Sequence, residues 1–87
     1  MNFVYILKGE SGKYYIGSTT NLKERLKHHF GGNTPSTSKL GKLELVFKQK
    51  YDTLKDIRYI EKRLKSLKRK DYLDKIVREG VIKITPP

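Results

Sequence analysis

Five side chains in this sequence can carry charge or move a proton at positions that a small fold can bring together. They are the phenols of Tyr5 and Tyr15, the guanidinium of Arg25, the imidazole of His29 and the carboxylate of Glu61. A guanidinium can bind a phosphate through two parallel hydrogen bonds, and a carboxylate can hold a hard divalent cation. A phenol has a pKa of ~10, so it can take a proton from water only where nearby cations lower that value.

Each of these residues also has an ordinary structural explanation. Tyrosine is favoured in strands, so two neighbouring phenols can simply pack. The stem of Arg25 can cover core while its head reaches water, and His29 can be a polar residue at the edge of the core. Glu61 can pair with Lys65 one helical turn later, which is worth ~0.3–0.5 kcal/mol. Taken alone, the residues leave both explanations open.

Residues Phe3 to Thr19 predict a β-hairpin around which the rest of the chain is organised. Two runs rich in β-branched and aromatic residues flank a turn that is marked by Gly9 and Gly12. The first run is apolar at successive positions, which suits a strand covered on both faces. If Tyr5 lies opposite Tyr15, the alternation of a strand places both rings on one face, and a slip of one residue would separate them.

A helix is predicted after the hairpin. Asn21 can cap it, Glu24 completes a capping-box pattern, and Gly31-Gly32 ends it. Arg25 borders the inward face of this helix, where an unpaired charge would be costly. That face consists of Leu22, Leu26, His29 and Phe30. Residues 31–41 predict an exposed loop.

The second half of the chain predicts one strand and two helices. Leu43 to Tyr51 is the strand, with Leu43, Leu45 and Phe47 on one face and Val46 on the other. Thr53 caps a helix that runs from about residue 54 to about residue 68. Its apolar stripe consists of Leu54, Ile57, Ile60, Leu64 and Leu67.

Asp71 is expected to cap a short final helix, which Gly80 ends, and residues 81–84 to form an extended tail along the body. The predicted element order is β-β-α-β-α-α. It indicates an α+β fold with a three-stranded antiparallel sheet flanked by helices, and one domain over residues 1–87.

The charge balance predicts a polyanionic partner. The 87 residues carry 20 Lys and Arg against nine Asp and Glu, a net charge of +11. Nucleic acid is the first candidate for such a field. An anionic membrane is less favoured, because no helix combines a basic face with an apolar face rich in Trp and Phe. A surface made basic only for solubility would need no such imbalance of sign.

Most of the basic residues expected to contact phosphates lie on or beside the second predicted helix. The expected contacts are Lys13, Lys55, Arg58, Lys62, Arg63, Lys65, Lys68 and Arg69. Such contacts hold a phosphate backbone but carry no sequence information. The chain has no cysteine, no pattern typical of a signal peptide and no apolar run approaching ~20 residues, so we expect a cytoplasmic protein.

Together these residues resemble the GIY-YIG nuclease family, and within it the small stand-alone branch related to the nuclease domain of the excinuclease of nucleotide-excision repair. Phe3-Val4-Tyr5 stands where the first name-giving tripeptide would be, and Tyr15-Ile16-Gly17 is the second tripeptide intact. The run from Ser18 to Leu26 is similar to the signature that leads into the first helix, with Arg25 at the family's arginine. The match spans about residues 2–76.

Further along the chain, His29 follows Arg25 by one turn, and Glu61 falls where the family carries its metal-binding glutamate. Two positions depart from the family pattern. The first tripeptide keeps only its tyrosine, and Ser18 stands where excinuclease-type members place a lysine. Lys13 or Lys65 could take over the role of that lysine.

The resemblance implies a metal-dependent endonuclease that hydrolyses phosphodiester bonds, with DNA as the expected substrate and RNA as the alternative. It implies that Tyr5 and Tyr15 jointly supply the base, with Tyr15 slightly favoured. Arg25 would bind the scissile phosphate, His29 would position water or phosphate, and Glu61 would hold a single Mg²⁺ or Mn²⁺.

Two other functions are compatible with the sequence. One is a basic nucleic-acid-binding protein without catalysis, and the other is a small basic protein that docks onto an acidic protein or RNA assembly. No separate base-reading element is evident. A nuclease of this kind would therefore cut by DNA shape, in repair or recombination for example, or would take its specificity from a homodimer or a protein partner.

Overall fold

The structure is a computed structural model that describes residues 2–30, 42–67 and 70–84. Within these ranges the chain forms three strands and three helices. They are β1 (Asn2–Lys8), β2 (Tyr14–Thr19), α1 (Leu22–Phe30), β3 (Glu44–Tyr51), α2 (Leu54–Leu67) and α3 (Lys70–Glu79). The strands make one antiparallel sheet in the order β2-β1-β3. The predicted α+β class and element order are confirmed, and the loop predicted at residues 31–41 lies outside the described residues.

The central strand β1 is buried on both faces. Val4 and Ile6 face a core that they share with buried residues of α2, α3 and the tail: Ile57, Ile60, Leu64, Leu73, Ile76 and Ile82. Tyr5 and Leu7 alternate to the opposite face, where Tyr5 contacts α1. A strand between two packed layers must be apolar at successive positions, which explains the uninterrupted apolar run.

The register of the hairpin differs from the predicted one. Tyr5 lies opposite Gly17, and Leu7 lies opposite Tyr15. The turn sets this offset, because Gly9 accepts from the N–H of Gly12 and donates its own N–H to the carbonyl of Lys13. Tyr5 and Tyr15 therefore share a face, as expected, but as diagonal neighbours rather than as a direct pair.

A β-bulge in β3 overturns the predicted face of Leu45. Leu45 pairs with Leu7 and Phe47 pairs with Ile6, and the register shifts between these two pairs. Because Ile6 and Leu7 are successive residues of β1, Leu45 and Phe47 lie on opposite faces of the sheet. Val46 packs against the core that contains Phe47, and so does not cover the other face.

The predicted helix N-caps are present for α1 and α2. Asn21 Oδ1 accepts the N–H of Glu24 at 3.2 Å, and Thr53 Oγ1 accepts the N–H of Asp56 at 3.1 Å. The reciprocal half of the capping box is replaced, because the N–H of Asn21 donates to Thr19 Oγ1 at 3.0 Å. Thr19, which is buried, thereby ties the end of β2 to the start of α1.

Two expectations for the later helices are wrong. Leu54 is 41% exposed and does not belong to the buried stripe of α2. Asp71 lies inside the first turn of α3, because the helix already includes Lys70. By contrast, Gly80 ends α3 as predicted, with a φ of 75° and its N–H donating to the carbonyl of Ile76 at 2.7 Å.

The tail after α3 lies along the body as expected. Ile82 is buried in the core, and its N–H donates to Gln49 Oε1 of β3 at 3.0 Å. Among the described residues, no helix has both the length and the apolar character needed to cross a bilayer.

We expect Gly17→Ala to destabilise the fold by about 1–3 kcal/mol, as overpacking usually does. The reason is a clash, since a Cβ at residue 17 would lie 2.4 Å from both Cζ and Oη of Tyr5. Urea unfolding measures the change in free energy. The same substitution should cost clearly less in a Tyr5→Leu background, where the ring is gone. An equal cost in the two backgrounds would show that the ring is not the cause.

Candidate active site

Tyr5 and His29 form a buried pair between β1 and α1. The Tyr5 hydroxyl lies 2.8 Å from Nε2 of His29, and the two residues are only 1% and 2% exposed. Burial is the main cause that raises the pKa of Tyr5 well above its usual value, and the Tyr15 phenol and Glu61 act in the same direction while Arg25 opposes them. Burial, followed by Arg25 and His28, lowers the pKa of His29. At neutral pH the pair is therefore a protonated phenol and a neutral imidazole.

Tyr15 is the more accessible of the two phenols. It is partly exposed on the edge strand β2, and its ring packs edge-on against His29 with 5.0 Å between ring centroids. His29 also packs against Tyr5, with 5.7 Å between ring centroids. His29 therefore holds both phenols in fixed positions on the same face of the sheet.

Glu61 reaches the edge of β2 from the other face of the sheet. Its Oε1 accepts a hydrogen bond from the Ser18 hydroxyl, and its Oε2 accepts one from Lys65 Nζ at 2.6 Å. The same ammonium lies 6.0 Å from the centroid of the Tyr15 ring. Lys65 thus lies between the Glu61 carboxylate and the Tyr15 ring. Because β2 is an edge strand, groups from the two faces of the sheet can approach each other around it.

Arg25 lies on the exposed side of α1, near Tyr5 and His29. Its side chain lines a shallow pocket together with Thr19, Asn21 and His28. Its positive charge acts on the pKa of both Tyr5 and His29, so the guanidinium is close to the buried pair while remaining open to solvent. The structure therefore brings the five predicted site residues into one neighbourhood.

The predicted basic residues fall on more than one surface. On α2, Lys55, Arg58, Lys62 and Lys65 are exposed and share an arc of about 80° around the helix axis. Arg63 lies about 160° away from Lys65 and therefore faces elsewhere. Lys13 lines a groove together with Lys65. Lys68 and Arg69 are outside the described residues.

Sequence reasoning missed the part played by Ser18, which it noted only as a departure from a family pattern. Ser18 is two residues after Ile16, so the alternation of β2 turns it toward the face that carries α2. That alternation was the signal that could have paired Ser18 with Glu61. The contact of Ser18 with Glu61 orients the carboxylate from a strand distant in sequence.

A single carboxylate such as that of Glu61 has the ligand chemistry for one hydrated divalent cation. Mg²⁺ keeps several waters and is commonly held by one or two carboxylates together with phosphate oxygens of a substrate. Within the described ranges, no three His, Cys, Asp or Glu side chains form a metal-binding cluster. Because Lys65 already contacts Oε2 of Glu61, a cation bound there would compete with that ammonium.

Comparison with known proteins places this arrangement in a family. A family model described as the GIY-YIG catalytic domain matches residues 1–74. The chain belongs to the GIY-YIG family, which is a family of nucleases, and the resemblance drawn from the Tyr15-Ile16-Gly17 tripeptide and the residues after it is confirmed.

Individual relatives belong to the small branch of that family. The chain is 32% identical over 82 residues to the UPF0213 protein CPE1444 of Clostridium perfringens, covering 93% of this chain and 88% of that protein. It is 30% identical over 70 residues to the UPF0213 protein YazA of Bacillus subtilis, covering 79% and 71% of the two chains. The fold is similar to the solution structure of the UPF0213 protein BH0048 of Bacillus halodurans, with a TM-score of 0.59, 29% identity and coverage of 92% and 87%.

The buried imidazole should make stability fall between pH 7.5 and pH 5.5. An unfolded histidine takes up a proton near pH 6.5, whereas the lowered pKa of folded His29 delays that uptake. The unfolded state therefore binds more protons, and the free energy of unfolding falls by up to about 1.4 kcal/mol per pH unit.

Urea unfolding at both pH values should show a smaller decrease for His29→Gln than for the unchanged protein. The matched control is His28→Gln, because His28 is exposed and pairs with Glu24 on the same helix. This control should keep most of the decrease, because burial is the largest cause of the lowered pKa of His29 and His28 is the smallest of the three. Equal pH dependence in all three proteins would contradict the assignment to His29.

Proposed function

We propose that this protein is a divalent-metal-dependent endonuclease that hydrolyses phosphodiester bonds in DNA. One observation carries the proposal, namely the position of Lys65 between the Glu61 carboxylate and the Tyr15 ring at the edge of β2. Hydrolysis of a phosphodiester needs a base, a group that binds the phosphoryl oxygens and a group that stabilises the leaving oxygen. Tyr15, Arg25 and Lys65 are side chains of these three kinds, and the short distance between Lys65 and Tyr15 supports the proposal.

Tyr15 is the candidate base. Its ring is partly exposed, so its oxygen can meet water and substrate, and the Lys65 ammonium beside it stabilises the negative charge that develops during proton transfer. Tyr5 is less suited, because its hydroxyl is buried and held by His29 and its pKa is raised. Tyr5 and His29 act as positioning residues that hold the Tyr15 ring.

Arg25 is the candidate ligand of the scissile phosphate. A planar guanidinium can form two parallel hydrogen bonds with phosphate oxygens, and Arg25 is exposed near Tyr5 and His29. The exposed arc of Lys55, Arg58, Lys62 and Lys65 would continue the contact along the sugar-phosphate backbone.

Glu61 would hold the metal, with Ser18 orienting its carboxylate. GIY-YIG nucleases generally depend on a divalent metal, and the oxygen ligand favours Mg²⁺ or Mn²⁺. When bound, such an ion supplies positive charge to the phosphoryl and leaving oxygens. Lys65 would then leave Oε2 of Glu61 and turn toward Tyr15 or a phosphate. In that position it would take the role of the lysine that excinuclease-type members carry where this chain has Ser18.

Glu61→Gln should lower cleavage of DNA by at least about 100-fold, because it removes the negative charge that would hold the cation. Single-turnover cleavage of plasmid and branched DNA in Mg²⁺ or Mn²⁺ measures this. Binding of the same DNA in EDTA should be unchanged or tighter. The matched control is Glu79→Gln, since Glu79 also pairs with a lysine four residues later, Lys83, but lies on α3.

A specific observation favours a second candidate, a DNA-binding protein without catalysis. Both oxygens of Glu61 already have protein partners, so the carboxylate is satisfied without a metal. Salt-dependent DNA binding with no cleavage in any metal would establish that candidate and refute the nuclease. Cleavage that is equally fast in Glu61→Gln would refute the role of Glu61.

Removing the hydroxyl of Tyr15 and removing that of Tyr5 should lower the cleavage rate by different amounts. Tyr15→Phe should lower the single-turnover rate by about 10²–10⁴-fold, as the loss of a general base does. Tyr5→Phe should have a smaller effect, because Tyr5 acts through His29. Thermal melts establish that both variants are folded. A larger loss of rate in Tyr5→Phe than in Tyr15→Phe would reverse the assignment.

Shape-directed cutting, a role in repair or recombination, a homodimer or protein partner and a cytoplasmic location stay predictions. A cleavage panel of linear, branched and flapped DNA, with RNA of the same sequences, tests the first of these.

A further inference from the structure

A groove of about 440 Å³ runs along β2 beside the start of α3. Lys13, Tyr14, Lys70 and Leu73 line it, and we call it the β2–α3 groove. It shares Tyr15 and Lys65 with the candidate active site, so a strand held at that site can continue into the groove.

The β2–α3 groove is positively charged. Lys13, Lys65 and Lys70 are exposed, and none of the described residues that line the groove is an Asp or Glu. Lys70 Nζ lies 3.4 Å from the position that a Cβ of Gly12 would take, so Lys70 reaches back to the hairpin turn beside Lys13. Two carboxylates adjoin the groove, since Asp74 accepts a hydrogen bond from the Tyr14 hydroxyl and Glu61 pairs with Lys65. They offset part of this charge, and the three lysines leave the groove with a net positive charge.

The floor of the same groove is apolar. Leu73 and Leu64 are buried beneath it, and the partly exposed Tyr14 ring is held in orientation by its hydrogen bond to Asp74. That bond and the charge of Asp74 add to burial in raising the pKa of Tyr14 to about 12. Tyr14 is thus a neutral, fixed ring. A phosphate backbone alone requires only the lysines, whereas a nucleobase stacks on an aromatic or apolar surface.

We propose that the β2–α3 groove binds an unpaired nucleotide that adjoins the phosphate held at the candidate active site. Its base packs on Tyr14 and Leu73, and its phosphate contacts Lys13 and Lys70. In a duplex the faces of the bases are hidden in the stack, so only an unpaired base can reach this floor. The groove volume lies in the range of sites that hold groups of this size.

This inference rests on the proposed nuclease function and names its substrate as DNA with unpaired nucleotides beside the cut.

The test is fluorescence anisotropy in EDTA, which removes metal-dependent cleavage. It uses a labelled blunt duplex and the same duplex with a short single-stranded overhang. Tyr14→Leu should weaken binding of the overhang DNA by about tenfold and leave the blunt duplex within about twofold. Tyr14→Phe, which keeps the ring but loses the bond to Asp74, should keep the overhang preference.

A second pair of variants avoids any dependence on the packing of Tyr14. Lys70→Ser and Lys75→Ser remove the same charge from exposed positions of α3, but Lys75 does not line the groove. Only Lys70→Ser should reduce the preference for the overhang. An unchanged preference in Tyr14→Leu, or equal effects of the two lysine variants, would overturn the proposal.

These experiments distinguish refutation of nucleotide binding in the groove from refutation of the nuclease activity. Binding in EDTA is independent of Glu61 chemistry, so a selective loss of overhang binding supports the groove even if no cleavage occurs. Cleavage that depends on Glu61, together with an unchanged preference in Tyr14→Leu, would retain the nuclease and reject the groove.

Discussion

The close approach of the Tyr5 ring to Gly17 determines how the candidate site is assembled. Gly17 lies on the edge strand, and the space that any other side chain would take is filled by the end of the Tyr5 phenol. The ring can therefore extend from the central strand across β2 and reach His29 and the environment of Tyr15. Without a glycine at this point, a side chain at residue 17 would clash with the end of the phenol, and the ring would have to move.

The site combines contacts that stabilise the fold with groups that remain open to a ligand. Tyr5 and His29 are buried and satisfied, as two core residues would be. Arg25 and Lys65 are exposed, and Tyr15 is partly so. The ordinary explanations considered from the sequence are therefore correct for one part of the site, since Glu61 does pair with Lys65 within α2. That pairing also holds the Lys65 ammonium beside Tyr15. The same contact therefore stabilises the helix and supplies a positive charge for the proposed chemistry.

Local structure was largely predictable, because its causes are close together in sequence. The hairpin turn, the caps at Asn21 and Thr53 and the end of α3 at Gly80 each depend on residues within four positions of one another. The hairpin register and the faces of Leu45 and Phe47 were not predictable in this way. A turn of different length moves the whole register, and one extra residue in a bulge exchanges the faces of all that follows.

The sequence by itself determined the family, the element order and the types of residue that a nuclease of this kind requires, because these are properties of residue identity and spacing. Only the tertiary structure decided which of those residues meet. The contact of Ser18 with Glu61 joins residues 43 apart, and that of Tyr14 with Asp74 joins residues 60 apart. Such contacts arise from the packing of α2 and α3 against one face of the edge strand β2, and no local pattern in the chain specifies which side chains that packing brings together.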